Sequence, residues 1–138
     1  MIKLIAWCKP YAKYILIAWL ITVITVSSIP SLPTLKIHTP HRDIRLDYLI
    51  HFCEYGFMAI MTYLAFSDRF FRMNNSKWIL LTSALIAFAF VDELHQKFIP
   101  GRTYNIRDFI SNGMGIIAAL LFCIYIFSRI NRRMRHVL

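Results

Sequence analysis

Phe90-Val91-Asp92-Glu93-Leu94-His95-Gln96-Lys97-Phe98-Ile99-Pro100-Gly101-Arg102-Thr103-Tyr104-Asn105-Ile106-Arg107-Asp108-Phe109-Ile110-Ser111-Asn112-Gly113 sets acids, amides and arginines between two apolar runs. The run before it, Trp78 to Val91, has 14 uncharged residues. As a helix it is about 21 Å long, whereas crossing hydrocarbon takes roughly 20 residues. The helix is therefore expected to continue through Asp92, Glu93 and Gln96. That places part of the polar cluster at or below the membrane boundary, where ionisable groups cost several kcal/mol unless paired or hydrated. No other stretch signals a site as strongly.

The wider composition fits a membrane protein. The 138 residues are 58% hydrophobic with a mean hydropathy of +0.53. A soluble fold of this size cannot bury so much apolar surface, so residues 1–138 read as a single integral membrane domain. The 16 Lys and Arg against 7 Asp and Glu give a net charge of +9. These basic residues fall between and beyond the apolar runs, the pattern that orients membrane helices, and no nucleic-acid partner is expected. Cys8, Cys53 and Cys123 are odd in number and widely spaced, which predicts free thiols.

Four apolar runs follow in order. Met1 to Lys13 carries Lys3, Lys9 and Lys13 ahead of the run Tyr14 to Ile29, which ends in Ser27-Ser28-Ile29-Pro30. This resembles a signal peptide, but the small-residue cleavage site is weak, and a retained anchor with Pro30 as its helix stop is the favoured reading. Pro30, Pro33 and Pro40 keep Ser31 to Arg45 out of helix, predicting an exposed loop. The second run, Leu46 to Phe66, places Asp47, His51, Glu54 and Tyr55 on one helical face. Ser67 to Lys77 is a polar connection, and Trp78 is an interfacial anchor for the third run. Pro100-Gly101 forms a turn. The fourth run, Asp108 to Phe127, aligns Asp108, Asn112 and Gly115. Its Gly113, Gly115, Ala118 and Ala119 allow a neighbouring helix to approach closely. Arg129, Arg132, Arg133 and Arg135 close the chain as a basic tail.

The expected fold is all-α, an integral membrane bundle of four transmembrane helices with its motif-bearing core at about 46–127. With four spans, the N-terminus, the Ser67 to Lys77 connection and the tail share one side and hold ten Lys and Arg, against six on the other. The positive-inside rule then places both termini in the cytoplasm. The polar ends of the second, third and fourth helices meet at the extracytoplasmic end of the bundle.

Asp47 and His51-x-x-Glu54-Tyr55 opening one helix, Asp92-Glu93-x-x-Gln96 closing the next, then Pro100-Gly101-Arg102 and Asp108-x-x-x-Asn112-x-x-Gly115 together resemble the VanZ-like membrane protein family. The resemblance runs roughly from Asp47 to Ala119, and the segment before Arg45 carries no recognisable motif of it. It implies a small bundle in the bacterial cytoplasmic membrane with a polar site, and a link to envelope or glycopeptide (teicoplanin) resistance. It implies no particular reaction.

The polar residues are weighed one by one. If Tyr55 to Phe66 fills about 18 Å of a ~30 Å hydrocarbon core, Glu54 lies about 12 Å below its outer surface, too deep for a hydrated helix end. Asp47 fits that plain role comfortably. His51 and Glu54, three residues apart, have the spacing to share a metal. No second His-x-x-Glu pair accompanies them, and Glu93 and His95 lie on different helix faces, so no metal or other cofactor is expected. Asp92 and Glu93 diverge by about 100° around the helix, so one faces the site while the other pairs with Arg102, Arg107 or His95. Arg102 and Arg107 bind phosphate or neutralise Asp92, Glu93 and Asp108. Asp108 suits the positive end of its helix, and Asn112 is expected to bridge helices. Lys36, His38, His41, Arg42 and Arg45 read as a solvated loop or as contacts to lipid headgroups.

The leading functional expectation is an outward site, formed by Asp47, His51, Glu54, Tyr55, Asp92, Glu93, Gln96, Arg102, Arg107, Asp108 and Asn112, that binds a polar or anionic envelope headgroup. The partner is then a membrane lipid or a lipid-linked envelope precursor, with a homo-oligomer as a further option. The rivals are an enzyme acting on a lipid-linked substrate through His51, Glu54 and Glu93, a proton-coupled transporter component, and a structural polar network.

Overall fold

Four helices are long and apolar enough to cross a membrane. The structure is a computed structural model that describes residues 7–31, 36–38, 43–68 and 71–135, with side chains for 7–31, 46–68, 71–130 and 132. A 3-10 turn at Lys9–Tyr11 leads into α1 (Ala12–Ser27). Strands β1 (Lys36–His38) and β2 (Asp43–Arg45) follow, then α2 (Asp47–Phe66), α3 (Asn75–Gln96) and α4 (Ile106–Arg135).

The helix limits have local causes. Pro10 lies in the first turn leading to α1, where its missing N–H leaves no bond unmade. Asn74 starts α3 by accepting from the Lys77 backbone N–H at 2.9 Å. As expected, α3 carries its polar end through to Gln96. The last helix outruns its apolar segment and continues through the basic tail to Arg135. The segment expected to be a loop instead contains an antiparallel pair, with Lys36 opposite Arg45, Ile37 opposite Ile44 and His38 opposite Asp43. Prolines exclude helix here but leave extended backbone available. The headgroup contacts expected of Lys36, His38, His41, Arg42 and Arg45 fall on side chains outside the described residues.

The most extensive packing joins α2 and α4. Buried Tyr55, Met58, Ala59 and Tyr63 of α2 face Ile116, Ala119, Leu120, Cys123 and Phe127 of α4, with Leu85 and Ala89 of α3 alongside. Two glycines set the spacing. A Cβ on Gly56 would touch the Gly115 carbonyl oxygen at 3.4 Å, and a Cβ on Gly115 would collide with the Phe52 carbonyl group. Lipid is as apolar as a leucine side chain, so close approach of this kind, and not water exclusion, holds such helices together. Outward-facing Ile17, Ile21, Ile79, Leu80, Leu121 and Phe122 are exposed, as suits side chains whose solvent is acyl chain.

At the end of the bundle holding the start of α1, Lys9 Nζ donates to the Leu64 carbonyl at 2.8 Å, the Ser67 carbonyl at 3.0 Å and the Ser67 hydroxyl at 2.8 Å. Those carbonyls end α2, so the lysine satisfies acceptors that the helix cannot. Phe71, in left-handed conformation at φ 55°, stacks on Phe127 at 4.5 Å, and its carbonyl accepts from the Tyr63 hydroxyl at 2.5 Å. The candidate site lies at the other end.

Candidate functional site

Three helices deliver the polar residues to one place. His51 comes from the second turn of α2, Glu93 from the last turn of α3 and Asp108 from the first turn of α4. One ligating atom from each lies within 4.8 Å of the other two. Local structure fixes their registers. The Trp19 indole N–H donates to the Glu54 carbonyl at 3.1 Å, tying α1 to α2 beside the site. The Ser111 hydroxyl donates to the Tyr48 carbonyl, closing the seam between α4 and α2. Gly101, at φ 76°, lets the chain turn back after α3. Asn105 then starts α4, its side-chain oxygen accepting from the Arg107 backbone N–H at 3.1 Å.

The adjacent acids part company as their helical angle requires. Asp92 accepts from the Tyr55 hydroxyl at 2.8 Å, and both residues are buried. Glu93 turns instead toward His51 and Asp108. It is fully buried, and among the described residues neither of its carboxylate oxygens has a hydrogen-bond partner. The Asn105 backbone amide approaches it without completing hydrogen-bond geometry. Asp108 Oδ1 and His51 Nδ1 are likewise buried and unpartnered. His51 Nε2 stands 3.9 Å from Asp108 Oδ2, beyond hydrogen-bonding distance. Glu54, half-buried one turn along α2, is within electrostatic reach of Asp92 and Arg102. Asp47 opens α2, half-buried.

Of the two roles expected of the arginines, neutralising the acids is not the one seen. Among the described residues neither arginine forms an ion pair with Asp92, Glu93 or Asp108. Arg102 donates to the Val26 carbonyl at 2.8 Å, the Ile29 carbonyl at 3.3 Å and Gln96 Oε1 at 3.4 Å. It thus satisfies the C-terminal carbonyls of α1, where a cation also meets the negative end of the helix dipole. Arg107 is exposed at the start of α4. Asn112 is fully buried, yet neither of its amide atoms has a partner among the described residues, so the helix-bridging bond expected of it is not seen there.

Two features escaped the sequence reading. His51 was matched with Glu54 as the possible cation pair, but the fold brings it to Glu93 and Asp108. Gly56 and Ser111, which set the α2–α4 seam beside the site, lie among apolar residues without a distinguishing motif. Only the helix pairing gives them meaning.

Chemically, the arrangement is an acceptor-rich cluster. Its free carboxylate oxygens and imidazole can accept from hydroxyl or ammonium groups or ligate a metal ion. Comparison with curated proteins and with solved structures returns no match. The sequence model of the VanZ/LLP1 family matches residues 10–128, covering the four apolar segments and every polar residue of the site. This multi-pass helical protein therefore belongs to the VanZ/LLP1 family.

Proposed function

We propose that the protein sits in the bacterial cytoplasmic membrane with both termini in the cytoplasm, and that its polar site binds the headgroup of a lipid or lipid-linked envelope precursor in the outer leaflet. The observation that carries this reading is Glu93, wholly buried with two unpartnered carboxylate oxygens at the meeting point of three helices. A polar network kept only for packing satisfies its members, because an unpartnered buried polar group costs about 1–3 kcal/mol, and more when charged. Unspent acceptors at a membrane boundary instead suit a ligand that brings donors. Hydroxyl or ammonium groups of the headgroup donate to Glu93 and Glu54, while the exposed Arg107 engages its phosphate. A glycopeptide-resistance role follows if the ligand is a precursor that these antibiotics recognise.

The His51–Asp108 geometry favours a second reading, catalysis on the same class of substrate. With Asp108 drawn in from 3.9 Å to orient the imidazole, Glu93 or His51 removes a proton from the attacking group.

The test is mass spectrometry of lipids co-purifying with the protein in mild detergent. Wild type is expected to enrich one polar lipid or precursor over the bulk membrane, and Glu93→Gln to lose that enrichment at equal membrane abundance. Identical lipid profiles for the two proteins would refute headgroup binding at this site. Turnover of the enriched species by purified protein separates catalysis from binding.

A further inference from the structure

Among the described residues no lysine or arginine is ion-paired with the acids of the site, and their geometry indicates what supplies a counter-charge. We propose that His51, Glu93 and Asp108 form a binding site for a single divalent transition-metal ion, Zn2+ or Mn2+. The three come from three different helices, and a ligating atom of each lies within 4.8 Å of the others. An ion held at about 2.0–2.2 Å from each ligand keeps adjacent ligands about 3–3.5 Å apart and opposed ones about 4 Å apart. The 3.9 Å between His51 Nε2 and Asp108 Oδ2 is too long for a hydrogen bond but falls in that range. The widest separation closes with a side-chain adjustment of less than about 1 Å.

Orphaned atoms point the same way. Glu93 is fully buried with both oxygens unpartnered, and Asp108 Oδ1 is also buried without a partner among the described residues. Among the described residues no lysine or arginine forms an ion pair with them: Arg102 acts on Glu93 only at a distance, its donors committed to carbonyls of the α1 end and to Gln96, and Arg107 and Lys97 are exposed. Two carboxylates and a neutral imidazole around a dication give an uncharged assembly, the form that costs least at membrane depth. An imidazole nitrogen among the donors favours Zn2+ or Mn2+ over Ca2+ and Mg2+, which prefer oxygen alone. Asn112, one turn beyond Asp108 on the same face of α4 and fully buried with Oδ1 unpartnered, offers a further oxygen.

The proposal stands on coordination geometry and holds whether or not a headgroup binds. Its test therefore uses the delipidated full chain, carrying a purification tag without histidine and stripped with chelator. Calorimetric titration with ZnCl2 and with MnCl2, and metal analysis after gel filtration, are expected to give one ion per chain. A tenfold excess of CaCl2 or MgCl2 is expected to leave that ion in place. Loss of an outer-shell partner costs about 10- to 100-fold in affinity, so removing a ligand by His51→Gln, Glu93→Gln or Asp108→Asn lowers it at least about 100-fold. Asp68→Asn, in the polar connection at the other end of the bundle, keeps wild-type binding. Absence of saturable Zn2+ or Mn2+ binding by wild type overturns the proposal even if the variants fold poorly. So does a Glu93→Gln protein that elutes as wild type does and binds as tightly.

Discussion

Replacing Gly115 by alanine tests the spacing on which both the bundle and its site depend. The added Cβ would stand 2.9 Å from the Phe52 carbonyl carbon and 3.1 Å from its Cα, and nearer still to the carbonyl oxygen. Carbon atoms prefer separations of about 3.5–4.0 Å, so α2 and α4 must part locally by about 0.5–1 Å. The obstructing atoms are backbone in the middle of a helix, and no rotamer relieves the clash. Overpacking of this kind costs about 1–3 kcal/mol. Alanine recovers up to about 1 kcal/mol of helix propensity, leaving a net loss of about 1–2 kcal/mol. Gly113, two residues away, provides the contrast. Its Cβ would meet only the flexible tip of Ile86 at 3.8 Å, an ordinary contact. Gly113→Ala is therefore expected to be neutral or stabilising by up to about 1 kcal/mol. Unfolding in mixed micelles measures both. Because Phe52 adjoins His51, Gly115→Ala also loosens the site. If Gly115→Ala were as stable as wild type, or if both variants shifted alike, the close contact at this seam would be wrong.

Arg102→Ala is expected to destabilise the protein by about 1–3 kcal/mol, because it strips donors from the Val26 and Ile29 carbonyls. Its effect should nearly add to that of Glu93→Gln, since only a distant electrostatic contact and no ion pair joins the two among the described residues, and marked rescue in the double variant would contradict this. For topology, cysteine introduced at Thr34 is expected to react with a membrane-impermeant reagent only from outside, and cysteine at Asn75 only from inside. Labelling of the Asn75 position from outside would invert the proposed orientation and move the site to the cytoplasmic face.

The hydropathy of the chain contained its membrane architecture. Runs too apolar for water, separated by prolines and polar connections, leave helix as the way to satisfy backbone groups in lipid, and the third run was too short to cross without carrying Asp92, Glu93 and Gln96 with it. The same arithmetic placed the polar ends of three helices together, where His51, Glu93 and Asp108 meet. Helical angle also separated Asp92 from Glu93. Which partner each residue takes was not legible. That depends on helix rotation and separation, set here by Gly56 against Gly115 and by the Ser111 hydrogen bond, and neither appears in a one-dimensional period. The sequence leaves the arginines free either to bind phosphate or to neutralise the acids. The tertiary structure gives Arg102's hydrogen bonds to the end of α1, because unsatisfied helix carbonyls lay within its reach, and so leaves Glu93 without an ion-paired arginine among the described residues.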